Sequence, residues 1–160
     1  MTNADRAGGG GAGCGGGRRI NWALALIAAF NLPVGVQAAL VPRSFFDGFP
    51  AGRGWIAAGD AAYDEHLVRD VGVLFLALVL VTAWVAVTRT AERAVAAAWL
   101  LQGLAHLVFH ASHLDGLSRA DGVSLLISLA AVPVLALVAW RQPSVAIAMG
   151  RRPNKHEPAT

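Results

Sequence analysis

Residues 67–87 read LVRDVGVLFLALVLVTAWVAV, and this stretch decides the fold of the chain. Its only charges are Arg69 and Asp70, near its start. At a rise of about 1.5 Å per residue, a helix of this length crosses the roughly 30 Å of hydrocarbon in a bilayer. The stretch is therefore predicted to be a transmembrane helix. Glu65 with Arg69 and His66 with Asp70 are i, i+4 pairs, so the ionisable groups of its first turn are expected to partner each other.

Three further apolar stretches are long enough to cross a bilayer, and each is predicted to be a transmembrane helix: 20–41, 94–113 and 123–140. The chain has 160 residues, of which 56% are hydrophobic and 14% charged, whereas ordinary soluble domains carry about 25% charge. The spans and the composition together predict an all-α integral membrane bundle of four transmembrane helices over residues 18–141.

The segments that flank this bundle differ from it in composition. Residues 1–17 are mostly glycine, and residues 142–160 are basic and contain proline. Neither segment has enough apolar surface to offset the entropy of ordering, so both are predicted to be disordered. Cys14, in the glycine run, is the only cysteine, which excludes an internal disulfide and a thiolate metal cluster.

The first span admits a second interpretation, as a cleaved signal peptide. Arg18 and Arg19 precede its apolar core, Pro33 interrupts it, and residues 36–38 resemble a small-residue cleavage site. Either interpretation places the following loop outside.

The loop at 42–65 is rich in aromatic residues set among glycine, proline and charges. This composition is typical of a segment at the level of the lipid headgroups. The loop is interpreted either as a lid packed over the helix ends or as a substrate-recognition loop. Its rings are Phe45, Phe46, Phe49, Trp55 and Tyr63. In the fourth span, Asp121 is expected to be the N-cap and Pro133 to kink the helix.

The basic residues predict the orientation. The formal net charge is +3, but the basic residues lie at the ends of apolar runs rather than along one face, which disfavours nucleic-acid binding. Four spans place both termini on one side, together with nine of the 13 basic residues, so the positive-inside rule predicts a cytoplasmic-membrane protein with both termini in the cytoplasm. These nine are Arg6, Arg18, Arg19, Arg89, Arg93, Arg141, Arg151, Arg152 and Lys155.

Residues 106–115 read HLVFHASHLD and place three histidines at i, i+4 and i+7 at the end of the third span. The histidines share a helical face with Trp99, Gln102 and Gly103. That face is expected to point into protein, because an imidazole facing lipid would lose its hydrogen bonds. The ionisable groups near the outer membrane edge are predicted to form a polar cluster of His66, Arg69, Asp70, His106, His110, His113 and Asp115.

Several interpretations of this cluster remain open. The side chains can form a polar seam that ties the outer ends of the second and third helices together. They can hold a metal, with His106 and His110 as adjacent ligands and His66 as a further candidate. They can hold a b-type haem non-covalently, with His66 and His110 as axial ligands. They can also line a transport path or a proton relay.

No reaction is indicated by the motifs. The HExxH protease motif is not matched, and Ser112 lacks the elbow of a serine hydrolase. The leading expectation is a non-enzymatic membrane component without a cofactor, in contact with the lipid bilayer. Two chains could pair through small-residue faces, or the chain could join another membrane protein.

Four segments carry a resemblance to a known group of proteins. They read VPRSFFDGFP (41–50), GRGW (52–55), YDEHLVRDVG (63–72) and HLVFHASHLDGLSRAD (106–121). They resemble uncharacterised four-helix membrane proteins of actinobacteria, distantly similar to the DoxX-like membrane proteins. The resemblance covers about residues 20–140 and implies the fold but no assigned reaction. DoxX-like relatives are connected with quinone-linked or thiol redox systems, and a thiol role does not fit because no predicted membrane helix contains a cysteine.

A C-terminal reporter tests the orientation. Alkaline phosphatase fused after Thr160 is expected to stay inactive, because its disulfides do not form in the reducing cytoplasm, whereas a fluorescent protein there should fluoresce. Active phosphatase would contradict the predicted orientation. A mature N-terminus at Ala39 would establish the signal-peptide interpretation.

Overall fold

The computed structural model describes residues 20–58 and 62–143. Within these ranges every regular element is helical, in the order α1 Trp22–Leu40, α2 Pro42–Gly48, α3 Glu65–Thr88, α4 Glu92–Ala111 and α5 Arg119–Arg141. All except the short α2 are long and apolar enough to cross a membrane. The predicted all-α fold with four candidate spans is therefore confirmed. The predicted disorder of residues 1–17, and of 142–160 apart from its first two residues, falls outside the described ranges.

The helices form two closely packed pairs. α1 packs along α3, and α4 packs along α5, while α1 also contacts α5. Consecutive helices α3 and α4 touch each other over a short stretch only. The bundle is therefore two pairs joined through α1 and α5, rather than a ring in which every neighbour is tightly packed.

Glycines set the close approach within both pairs. A Cβ at Gly72 of α3 would lie 2.4 Å from the backbone nitrogen of Ala39, so only a hydrogen fits where α3 crosses the end of α1. A Cβ at Gly103 of α4 would lie 2.8 Å from Cδ of Pro133, which is inside α5. The proline ring fills the space that the glycine leaves. Small residues at such crossings are what lets membrane helices approach closely.

Trp99 of α4 occupies the centre of the bundle. Its side chain is 0% exposed, and its indole Nε1–H donates to the hydroxyl of Thr82 on α3 over 2.8 Å. The Thr82 hydroxyl in turn donates to the carbonyl of Leu78, and the ring of Phe75 meets the indole edge-on. The surrounding core is apolar and includes Leu24, Ile27, Val85, Ala96, Val132 and Ala136.

A buried polar group closes the inner end of the bundle, the end predicted to be cytoplasmic. Asn21 caps α1, donates from its backbone to the carbonyl of Ala86, and donates from its side-chain amide to Glu92 Oε1 over 2.8 Å. Arg89 Nε lies 2.6 Å from the same carboxylate oxygen, and Arg89 also donates to the carbonyl of Pro143. The group therefore ties α1, α3, α4 and the residues after α5 together. Its ion pair is sequestered, with side-chain exposures of 7% and 4%.

The Glu92 carboxylate gives a direct test of this inner closure. Glu92→Ala is expected to lower the free energy of unfolding by roughly 3–5 kcal/mol, because it leaves the buried Arg89 charge without its counter-ion. Glu65→Ala is the matched control: Glu65 also lies in the first turn of a spanning helix and pairs with Arg69, but this pair is solvent-exposed and should matter by less than about 1 kcal/mol. The fraction folded during denaturant titration in mild detergent measures both. Equal effects would contradict the inner closure.

Candidate functional site

The imidazole face of α4, defined as Gln102, His106 and His110, lies on the outer half of the helix. The rings of His106 and His110 are 4.6 Å apart between centroids and meet at 85°. Gln102 and His110 are half-buried, whereas His106 is exposed. Among the described residues, the two imidazoles contact each other and His110 contacts Phe109, but neither imidazole accepts or donates a hydrogen bond. Both rings therefore keep their nitrogen atoms available.

Helical phase shows where this face points. At about 100° per residue, His106 and His110 each lie within roughly 20° of the direction of Trp99, seven and eleven positions earlier. Trp99 itself faces α3, where it contacts Thr82 and Phe75. The two imidazoles therefore point towards the side on which α3 lies. Because α3 and α4 touch over a short stretch only, the space between their outer halves remains open.

The described part of a single chain covers only part of the polar face. Trp99 and Gly103 are buried as predicted, but His106 and His113 are exposed. The periodicity gave the correct direction for His106, and the opening between α3 and α4 leaves it without cover. His113 lies beyond the last residue of α4, where its Nδ1 is 2.8 Å from the carbonyl of Phe109 and its ring stacks on that phenyl ring.

The histidine and the carboxylate of α3 pair with each other. His66 Nε2 is 3.3 Å from Asp70 Oδ2, and Arg69 donates to Glu65 over 2.9 Å, so both predicted i, i+4 pairs are confirmed. His66 and Asp70 are highly exposed, at 88% and 58% of their side-chain surface. They lie about 160° and 120° around α3 from Thr82, which faces α4. They therefore point away from the imidazole face.

The structure thus divides the predicted polar cluster. His106 and His110 are together on α4, and His66, Arg69 and Asp70 are together on α3, where Arg69 also donates to the carbonyl of Ala39. Asp115 is exposed in the turn after α4. Within the described ranges, no group of three or more His, Cys, Asp or Glu side chains is placed to hold a metal ion. Among the described side chains, the imidazole face therefore brings two imidazoles together.

The outer loop packs on the bundle through a short helix. Pro42–Gly48 forms α2, and Phe45 and Phe46 on it are buried. Phe46 meets the ring of Tyr63 edge-on, and the guanidinium of Arg43 lies over the Tyr63 ring, 4.8 Å from its centroid. Desolvation raises the pKa of the Tyr63 hydroxyl. Two of the predicted headgroup-level rings are therefore turned inward, as a lid requires.

A strap joins this lid to the start of α5. Arg53 Nη1 and Trp55 Nε1 both donate to Asp121 Oδ1, over 2.6 and 3.1 Å. Asp121 was predicted to be the N-cap, and this is wrong: Ser118 is the N-cap, and its hydroxyl accepts from the backbone of Asp121 and donates to the Asp121 carboxylate. The S-x-x-D spacing at 118–121 is a capping-box signal that could have shown this. No local signal connects Asp121 to Arg53, because 68 residues separate them.

The arrangement presents two neighbouring imidazoles without internal hydrogen bonds near the same end of the bundle as the lid. No protein-family model, no curated protein and no solved structure matches this chain. The chemistry of the imidazole face and the packing around it are the grounds for a function.

Removing the Asp121 carboxylate is expected to loosen the lid. Asp121→Ala deletes the acceptor of both Arg53 and Trp55, so amide hydrogen exchange at 49–56 should become faster, while exchange in α3 stays slow. Asp115→Ala removes a carboxylate from the turn that precedes α5 and should leave the lid unchanged, since Asp115 is exposed and outside the strap. Unchanged exchange in Asp121→Ala would show that the strap does not hold the lid.

Proposed function

We propose that this chain is a non-enzymatic component of the cytoplasmic membrane, with both termini in the cytoplasm, and that the imidazole face of α4 docks another membrane helix. The single observation that supports this is the exposure of His106 in the same stripe as the fully buried Trp99. Membership of the actinobacterial, distantly DoxX-like group is part of the same proposal. It draws on the four segments 41–50, 52–55, 63–72 and 106–121.

The cost of leaving the face in lipid is the physical reason for docking. An unsatisfied polar group in the hydrocarbon costs several kcal/mol, whereas one polar contact between membrane helices contributes about 0.6 kcal/mol on average. Avoiding lipid exposure therefore favours docking more than the strength of any one new hydrogen bond does. α4 also has the most surface available for a partner. In its most apolar 18-residue stretch only 22% is buried within the chain, the smallest share among the four spans.

A second candidate, a proton relay, is favoured by the same opening if water fills it. Two neighbouring imidazoles can pass a proton, and ionisable groups inside membranes often line such paths. The buried core limits this candidate. Within the described part of the chain, Trp99 and the apolar side chains around it fill the space below the histidines. The opening therefore ends at Trp99 in this conformation.

Spin labels on two neighbouring residues of α4 separate these possibilities. With Cys14→Ser as background, a label at Gln102→Cys reports on the imidazole face and leaves both histidines intact. A label at Leu101→Cys is the matched control, because Leu101 is 74% exposed and lies on the opposite side of α4. Collision rates with oxygen, which partitions into lipid, and with a water-soluble nickel complex are measured by electron paramagnetic resonance in bilayers.

If another helix covers the imidazole face, the label at 102 should be shielded from both reagents, while the label at 101 collides readily with oxygen. Strong collision of the 102 label with the nickel complex would indicate a water-filled opening and favour the relay. Equal oxygen collision at 102 and 101 would place the face in lipid and contradict both functions.

A further inference from the structure

We infer that the strap from Arg53 and Trp55 to Asp121 is a latch on the outer end of the bundle. When it releases, the outer halves of α4 and α5 bend away from α1 and α3 about Gly103 and Pro133, and the space in front of the imidazole face widens. The inference goes beyond the docking proposal, because the movement takes place within one chain and needs no partner.

The inner halves of the four spanning helices share one core and are expected to stay closed. Trp99, at its centre, is fully buried and bonded to Thr82 of α3. At the inner end, Asn21 of α1 donates to Glu92 of α4, which also pairs with the buried Arg89. Breaking a buried ion pair is costly, so this end resists opening. The core residues are Ala23, Leu24 and Ile27 of α1, Val85 and Ala86 of α3, Val95, Ala96 and Trp99 of α4, and Val132, Ala136 and Ala139 of α5.

At the outer edge of this core, α4 and α5 each contain a residue at which a helix can bend. Pro133 lies inside α5 and has no N–H, so the helical hydrogen bond to the carbonyl of Leu129 is not made. Gly103 of α4 lies against it, since a Cβ there would be 2.8 Å from Cδ of the proline ring. Sharp bends in helices occur mostly at proline, and glycine allows the widest range of backbone conformations. The outer parts of the two helices, joined by the turn at 112–118, can therefore bend as one unit.

The strap connects this unit to the other helix pair. α2 packs on α1 and α3, and the backbone after it folds back on it, with the Trp55 N–H donating to the carbonyl of Phe49 over 2.7 Å. The side chains of Arg53 and Trp55 reach α5, where both donate to Asp121 Oδ1. The lid is thus fixed to the α1–α3 pair and bonded to the outer end of the α4–α5 pair.

The connection through the strap is weaker than the one at the inner end. The side chains of Arg53 and Asp121 are 55% and 25% exposed, against 7% and 4% for Arg89 and Glu92. An exposed ion pair contributes little to stability, because water screens the charges and competes for both partners. The outer end therefore opens before the inner end, and its opening controls access to the imidazole face.

Distances between pairs of spin labels test the latch in bilayers, with Cys14→Ser as background. The outer pair, Leu67→Cys and Val123→Cys, joins the outer ends of α3 and α5. The control pair, Val87→Cys and Leu137→Cys, joins their inner halves. All four positions are exposed, so the labels replace no core side chain. Double electron–electron resonance measures both distances.

Asp121→Ala should lengthen the outer distance and leave the inner distance unchanged. At about 1.5 Å per residue, Val123 lies roughly 15 Å from Pro133, so a bend of about 20° moves it by about 5 Å. The double variant Arg53→Gln, Trp55→Phe removes the two donors instead of the acceptor and should give the same shift. Adding Pro133→Ala to Asp121→Ala restores the missing helical hydrogen bond and should return the outer distance to that of the unsubstituted chain.

Asp115→Ala, the control in the turn before α5, should shift neither distance. An outer distance that stays unchanged in both strap variants would overturn the latch, and so would an equal shift of the inner pair, which would indicate general loosening. A longer outer distance that persists with Pro133→Ala would overturn the hinge. Because acceptor and donors are removed in separate variants, the test remains decisive if one of them does not fold.

Discussion

The hydrogen bond from Trp99 to Thr82 is the constraint on which the rest of the bundle depends. An indole N–H in the middle of a membrane must find an acceptor, and here the acceptor is a hydroxyl on another helix. The bond fixes the rotation of α4 about its axis relative to α3. Once that rotation is fixed, the stripe through Trp99 determines that His106 and His110 look towards α3, and that Leu101 looks away from it.

The two ends of the bundle are held by different means. At the inner end, Asn21, Arg89 and Glu92 connect three spanning helices through side chains that are almost fully buried. At the outer end, Arg69 of α3 donates to the carbonyl of Ala39 near the end of α1, and the strap from Arg53 in the lid holds the start of α5. None of these outer contacts joins α3 to α4. The outer halves of those two helices are therefore the least constrained neighbours, and the opening between them follows.

Much of the fold could be predicted from the sequence, because its determinants are local. Residues 67–87 span by length and apolarity, and the pairs of Glu65 and His66 follow from helical spacing. The buried inner group could not be predicted in the same way. Asn21 and Glu92 each look like ordinary residues at a helix start, and 71 positions separate them, so their contact depends on how the helices assemble.

The direction in which the histidines of α4 point could be predicted from the sequence, but whether protein covers them could not. Periodicity puts His106 in phase with Trp99, and the structure agrees. Whether that phase means burial depends on how far α3 and α4 separate beyond Trp99, which no pattern within α4 encodes. Asp121 shows the same limit. Its hydrogen bonds with the N-cap Ser118 are local and could be predicted from residues 118–121. Its bonds to Arg53 and Trp55 come from a loop more than sixty residues away.

The imidazoles are not explained by the stability of a single chain. His106 is exposed and fills no part of the core, so leucine at this position would remove no contact of the core and would suit the hydrocarbon better by several kcal/mol. The same reasoning does not apply to Asn21 or Glu92, because the Asn21 amide and Arg89 both contact Glu92 Oε1 inside the chain. A polar side chain that costs the folded monomer free energy, and returns none through contacts with the described residues, supports the proposal of a partner at this face. The inner polar residues therefore serve the fold, and the lack of internal contacts of the outer imidazoles is the basis for the proposed interaction.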